Sequence, residues 1–206
     1  AANNILPFTF LCYHSLNMKQ NQKIELRNLL LEDYLDLKNA SIEAYSGMGG
    51  DFWDEQQLSR LLSIFPEGQL CVTVDGKVVA SALSIIVDYK KFGDNHTYEQ
   101  IIGNYTFNTH DPDGDVLYGI EIFVHPQYRG LRLGRRLYDA RKELCENLNL
   151  RSIIAGGRIP NYELYANQLT PRQYIEKVKM KEIFDPTLAF QLSNDFHVRR
   201  VLRNYL

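Results

Sequence analysis

Eight consecutive residues carry the strongest chemical signal in the chain: Arg129-Gly130-Leu131-Arg132-Leu133-Gly134-Arg135-Arg136. A helix opens here by periodicity, yet no Ser, Thr, Asp or Asn stands at its start to bond the unpaired amides of the first turn. Each exposed arginine at the positive end of a helix dipole costs roughly 0.3–1 kcal/mol. Uncapped amides, glycines that let a ligand approach the backbone, and surplus arginine together describe an anion site, best suited to a phosphate or pyrophosphate. The competing reading is a glycine-started helix whose arginines are solvated or paired with Asp139 and Glu143. A second chemical signal lies just upstream. Glu121 interrupts an apolar run, and a carboxylate among apolar neighbours has its pKa pushed up toward that of a useful base. By strand alternation it shares a face with Leu117 and Phe123. The plainer role for Glu121 is a structural carboxylate paired with an arginine such as Arg158.

The elements that must position these residues are a strand, a tight turn and a long helix. Residues 116–124 are nearly continuous in apolar and aromatic side chains, as in a strand covered on both faces, and Pro126 ends it by withholding a ladder donor. Leu133, Leu137, Ala140, Leu144 and Leu148 recur at spacings of three and four and predict one core-facing helix stripe. Residues 151–158 then read as a strand after a crossover, which implies parallel pairing with the first strand. Ligands of such sheets lie beyond the carboxyl ends of the parallel strands. Upstream, residues 23–29 alternate as a strand. Residues 32–44 and 54–64 are helical by period, with Gly47-Met48-Gly49-Gly50 as a loop between them. Strands at 69–75 and 77–87 meet at Asp75-Gly76, a strong hairpin signal. Residues 88–115 are loop-rich, with a helix near 96–102. Downstream, 159–169 is a tyrosine-bearing loop. Thr170-Pro171 opens a helix to about Ile183, Asp185-Pro186 opens a shorter one, and residues 196–206 read as a final strand.

The run from Gln127 to Gly134 resembles the acyl-coenzyme A signature of the GNAT (general control N-acetyltransferase-related) superfamily, [Q/R]-x-x-G-x-[G/A], and the Val124-His125-Pro126 lead-in is typical of it. Arg132 stands where the signature has a small residue. The resemblance implies an α/β (α+β) fold with a mixed, mostly antiparallel twisted sheet, parallel central strands splayed at the cofactor cleft and helices on both faces. It implies an N-acetyltransferase in which an amine attacks acetyl-CoA directly. Arg129, Gly130, Leu131, Arg132, Leu133, Gly134 and Arg135 would hold the pyrophosphate. The backbone of Ile122, Phe123 and Val124 would hold the pantetheine and thioester. Glu121 is the candidate base. The family's usual acid is a tyrosine on the last helix; Gln191 and Asp195-Phe196 occupy the matching places, so Tyr165, with Tyr162, is the candidate from the loop. His110 and His125 receive no role. Room for one closing strand instead of the usual two, together with the inserted helix near Pro171, resembles the acetyltransferase-like domain that precedes carbon–nitrogen hydrolase (nitrilase-type) domains in bacterial proteins. That makes a catalytically silent acyl-CoA sensor the second reading. It also predicts an exposed sheet edge covered in a homodimer or by a fused or partner hydrolase domain.

With 206 residues and a formal net charge of −2, the chain is long enough to bury a sizeable core and gives no charge argument for nucleic acid or an anionic membrane. Residues 1–17 read as an extension before a single domain at 18–206. The apolar run 5–13 is too short to span a bilayer and lacks a basic leader. The three cysteines, Cys12, Cys71 and Cys145, match no metal spacing, and buried thiols point to a reducing, cytoplasmic compartment. Asp111-Pro112-Asp113-Gly114-Asp115 suggests a calcium loop, but Val116 and Ile122 occupy the positions where an EF-hand needs Gly and Glu. The expectation is a turn with no metal.

Overall fold

The computed structural model describes residues 22–46, 52–202 and 205. The expected N-terminal extension, Cys12 and the Gly47–Gly50 loop lie outside them. Among the described residues, five strands form one sheet in sequence order: β1 (Ile24–Asn28), β2 (Gln69–Val74), β3 (Lys77–Val87), β4 (Val116–Val124) and β5 (Ser152–Ala155). The first four pair antiparallel, and β4 and β5 pair parallel. The β2–β3 hairpin turns where expected, because Asp75 and Gly76 both take positive φ, at 52° and 86°, which this tight turn requires.

Helices cover both faces. Helices α1 (Tyr34–Ala44) and α2 (Glu55–Ile64) bury Leu37, Ala40, Leu58 and Leu61 against Leu83, Ile85, Tyr118 and Phe123. Two short helices in the β3–β4 connection, α3 (Tyr89–Phe92) and α4 (Tyr98–Ile101), precede Ile102 and Phe107, which with Ile101 join the same core. On the opposite face α5 (Leu133–Asn147) packs Leu133 and Leu137 on Val72, Ala80 and Ala82. Helices α6 (Pro171–Lys179) and α7 (Pro186–Leu192) make a smaller core of Tyr174, Ile175, Val178 and Leu188.

Local sequence explains the helix starts. Asp54 accepts from the Gln57 amide at 2.7 Å and Gln57 returns the bond at 3.0 Å, a reciprocal cap of a kind worth about 1 kcal/mol. Thr170 and Gln173 repeat it at α6. Asp185 caps α7 from a fully buried position, held also by the Tyr174 hydroxyl at 2.8 Å.

Three expectations need correction. The core stripe of α5 runs through Gly134, Tyr138, Arg141 and Cys145 beside Leu133 and Leu137. Leu148 is exposed and Ala140 and Leu144 only half-buried, because α5 is rotated to lay Arg141 on the sheet. Helix α6 stops at Lys179, short of Ile183. No strand forms in residues 196–202. Phe196 packs its ring 4.9 Å from that of Tyr138, and Val198 and Val201 join the α6–α7 core, so these side chains serve packing instead of a ladder. Among the described residues β5 is therefore a sheet edge.

Candidate functional site

The site is created where two strands part. β5 follows β4 only as far as the Gly119–Ala155 pair, while β4 continues to Val124. At the same level β4 carries an extra residue: Ser84 faces Gly119 and Leu83 faces Glu121, leaving Ile120 unpaired. Such a bulge shifts side-chain alternation by one. Upstream of it Leu117 packs with Cys145 on the α5 face; downstream Phe123 packs on the α1 face. Glu121 thus faces α1 along with Phe123 and not with Leu117, a correction to simple alternation.

The bulge is filled by Arg141, only 1% exposed. Its guanidinium donates to the carbonyl oxygens of Leu83, at 2.6 Å, and Glu121, and to Ser84 Oγ at 3.1 Å. A Cβ on Gly119 would come within 2.9 Å of Arg141 Nη1, so glycine is required for close approach. Burial pushes the guanidinium down to about 10, against the pull of Tyr138 and Glu121.

Glu121 is gripped at one carboxylate oxygen. The hydroxyl of Tyr45, just past the end of α1, makes a short contact with Oε1, and the Ile122 amide donates to the same oxygen at 3.1 Å. Tyr45 also lies 3.1 Å from the Ile122 carbonyl oxygen, and the Tyr98 hydroxyl donates to the Ile120 carbonyl at 3.2 Å. Burial raises the pKa of Glu121, opposed by Tyr45, the Ile122 amide, Arg141 and Arg158. Burial thus makes Glu121 a better proton acceptor than an exposed carboxylate. The peptide groups of Ile122 point away from β3 into the splay, and ladder alternation turns those of Val124 the same way. A cavity of about 580 Å³ runs through the splay, from Tyr45, Trp53 and Tyr98 on the α1 side to Tyr138, Arg141 and Gln191 on the α5 side. A larger one, about 870 Å³, flanks the β5 edge beneath residues 196–202 and shares the Ala155–Arg158 wall, but Glu121 does not line it. The smaller cavity is the one lined by Glu121.

From the splay, α5 leads back to the arginine–glycine turn, about 12 Å from Arg141 along the helix axis at 1.5 Å per residue. Arg132, at the N-cap of α5, makes no side-chain capping bond to its first turn. Gly130 has φ +90° and Arg132 φ +58°, and alternating hands of this kind turn successive amides toward one concave side. The left-handed backbone at Arg132 explains why a small residue is usual there. Arg132, Arg135 and Arg136 are exposed; Arg135 lies 4.0 Å from Asp139, a weak surface pair. Arg129 reaches back to the Ala44 carbonyl at 3.5 Å, tying the turn to the end of α1. Gly134 faces inward, where a Cβ would meet Phe190 of α7 at 2.7 Å. Its missing side chain is explained by helix packing, while its amide stays in the uncapped first turn.

The structure brings Glu121 and Ile122 together at the splay, with Phe123 and Val124 continuing the strand and residues 129–135 one arm's length away. It does not bring Tyr165 there. That ring packs 5.6 Å from Tyr174 in the α6–α7 core, drawn by local burial, and Tyr162 packs there too. Tyr45, Tyr98 and Arg141 were missed. Only Arg141 had a signal, an arginine four residues after core-facing Leu137. Asp111 pairs with Lys91 at 2.9 Å and accepts from the Asp113 amide at 3.1 Å, as a turn.

The profile of the "Acetyltransferase (GNAT) family" matches residues 25–168. "Probable hydrolase YhcX" of Bacillus subtilis (strain 168) is 41% identical over 185 residues, covering 90% of this chain and 36% of that protein. The chain thus spans about a third of that relative's length. "Uncharacterized N-acetyltransferase YkwB" of the same strain is 36% identical over 154 residues, 75% of this chain and 68% of that one. Among solved structures, the loading GNATL domain of CurA from Lyngbya majuscula superposes with a TM-score of 0.70 at 23% identity, covering 83% of each chain. The GphF GNAT-like decarboxylase in complex with isobutyryl-CoA gives 0.61 at 17% identity, covering 82% of this chain and 84% of that one. At these identities the structural likeness is one of fold.

Proposed function

The chain belongs to the acetyltransferase (GNAT) family, and from that premise we propose that it transfers an acetyl group from acetyl-CoA to a primary amine, with Glu121 as the base. The observation that carries this reading is the placement of a carboxylate with raised pKa beside outward-pointing peptide groups, in a cavity through the β4–β5 splay. The uncapped, arginine-rich start of α5 suits the pyrophosphate, and a GNAT-like neighbour is described as complexed with isobutyryl-CoA. The amine nitrogen attacks the thioester carbon, the N–C bond forms, and the Ile122 amide donates to the developing oxyanion once Glu121 yields it. The C–S bond breaks, Glu121 takes the amine proton, and CoA leaves as the thiolate, protonated from the Glu121 carboxyl or solvent. Thiolate is a good leaving group, so the displacement of Tyr165 from the site costs the reading little.

Glu121→Gln keeps the shape and removes the proton acceptor. Thiol release should fall by about 10²–10⁴-fold with acetyl-CoA affinity unchanged. A change that alters stability and leaves turnover intact would return Glu121 to a structural role. A second reading, an acyl-CoA sensor attached to or partnering a hydrolase, is favoured by the 36% coverage of YhcX and by the β5 edge, which such a domain or a second copy would cover. CoA binding without thiol release for any amine selects it.

A further inference from the structure

The cavity has two unlike ends. Toward α5 it is walled by Tyr138, Arg141 and peptide backbone at 155–157; toward α1 it is walled by the rings of Tyr45, Phe52, Trp53, Tyr98 and Tyr105. The aromatic wall is braced internally. Phe52 stacks on Trp53 at 6.0 Å, and Tyr98 meets Tyr105 edge-on at 6.3 Å. The hydroxyls of Tyr45 and Tyr98 are already engaged with Glu121 and with β4 carbonyls. Those two side chains therefore offer ring surface more than polar groups. Glu121 is the one carboxylate among the described lining residues.

Resting on the acetyltransferase reading above, we propose that the acceptor is a small primary monoamine with an apolar body, of the arylalkyl or branched-alkyl type. Its nitrogen sits at Glu121 and its body lies against the aromatic wall. An ammonium group is attracted both by the carboxylate and by the faces of the rings; it loses one proton to solvent to become the attacking amine, and Glu121 takes the second as the N–C bond forms. An amino sugar is disfavoured along that wall, because its hydroxyls would lose water against rings whose Tyr45 and Tyr98 oxygens are already bound. A polyamine meets a second obstacle in the Arg158 guanidinium, which lines the same cavity close enough to lower the pKa of Glu121. At about 580 Å³ the cavity is of small-molecule size, and its α5 end must also admit the acyl arm.

Trp53 is the single tryptophan of the chain and lines the acceptor end, so its emission reports occupancy without requiring turnover. The protein, saturated with CoA, is titrated with 2-phenylethylamine, 3-methylbutylamine, spermidine, glucosamine and an alanyl tetrapeptide, and thiol release from acetyl-CoA is followed in parallel. The two apolar monoamines should saturate the emission change at concentrations at least tenfold below the other three. Tyr105→Asn removes one ring while suiting the positive φ of 63° at that position, and should weaken phenylethylamine at least fivefold while leaving the acetyl-CoA affinity unchanged. Phe52→Ala, read by calorimetry, is the second variant. Equal or tighter binding of spermidine, glucosamine or the peptide overturns the proposal, as does indifference of phenylethylamine to both variants. The two readings fail differently. Selective saturation without thiol release sinks the transferase and leaves the apolar monoamines as ligands of the cavity; thiol release without monoamine preference keeps the transferase and overturns the proposed acceptor class.

Discussion

Arg141 should be the side chain on which the geometry of the splay depends, and its replacement tests that directly. Arg141→Met removes the donors to the carbonyls of Leu83 and Glu121 and to Ser84 Oγ. Two buried carbonyls left unpaired cost about 1–3 kcal/mol each. Against this, burial works against the charged guanidinium, whose pKa falls from 12.5 to about 10; that displacement corresponds to roughly 3 kcal/mol returned when the cation is deleted. The net expectation for Met lies between a gain of about 1 kcal/mol and a loss of about 3 kcal/mol. Arg141→Lys keeps a buried charge but loses the planar fork that spans both carbonyls, so it regains nothing by deletion and satisfies fewer acceptors. It should be no more stable than Met. In a domain of this size each kcal/mol moves Tm by about 2–4 °C, so losses of this order are readable by thermal denaturation followed by circular dichroism. Arg141→Lys with wild-type Tm would refute the claim that the fork is required. An Arg141→Met protein several degrees more stable than wild type would show that relief of charge burial outweighs the orphaned carbonyls.

In Gly134→Ala, overpacking against Phe190 costs about 1–3 kcal/mol, offset by up to about 1 kcal/mol from replacing a helix glycine, so Tm should fall and Phe190→Leu should restore much of the loss; an undiminished Tm would return Gly134 to a purely cofactor role. His110 accepts the Ile86 amide at 3.1 Å through Nδ1 and stacks on Phe65. Burial lowers its pKa, with Asp111 and Glu67 pulling the other way. Because the folded pKa lies below the unfolded value near 6.5, the unfolded chain binds the proton more readily. The stabilisation is complete above about pH 6.5 and is lost as pH falls through the folded pKa, so urea midpoints should drop below pH 6.5 and His110→Gln should flatten that slope. Acetyl-CoA should bind in the micromolar range, about −8 kcal/mol, and weaken with added salt as the exposed arginines of the turn are screened; calorimetry showing no heat at millimolar ligand would remove the phosphate site.

The features legible in the sequence were those written by near neighbours. Asp75-Gly76 specifies its turn through positive φ, Asp54 and Thr170 announce their helices by side chains that reach three residues ahead, and the uncapped arginine–glycine run marks the start of α5. Each of these is decided within one turn of chain, where covalent proximity makes the interaction almost independent of the rest of the fold. Tertiary structure decided what Glu121 does. Its neighbour Tyr45 is 76 residues away, and its facing depends on the unpaired Ile120, which reverses alternation between Leu117 and Phe123. Nothing in residues 116–124 marks the bulge, because it exists only when Leu83 and Ser84 are paired opposite and Arg141 enters from α5 to bond the carbonyls it exposes. The same holds for Tyr165, whose ring went to the α6–α7 core because burial against Tyr174 was available there. A strand's register and a side chain's destination depend on surfaces brought together by folding, and a single chain pattern does not contain the partner that selects between them.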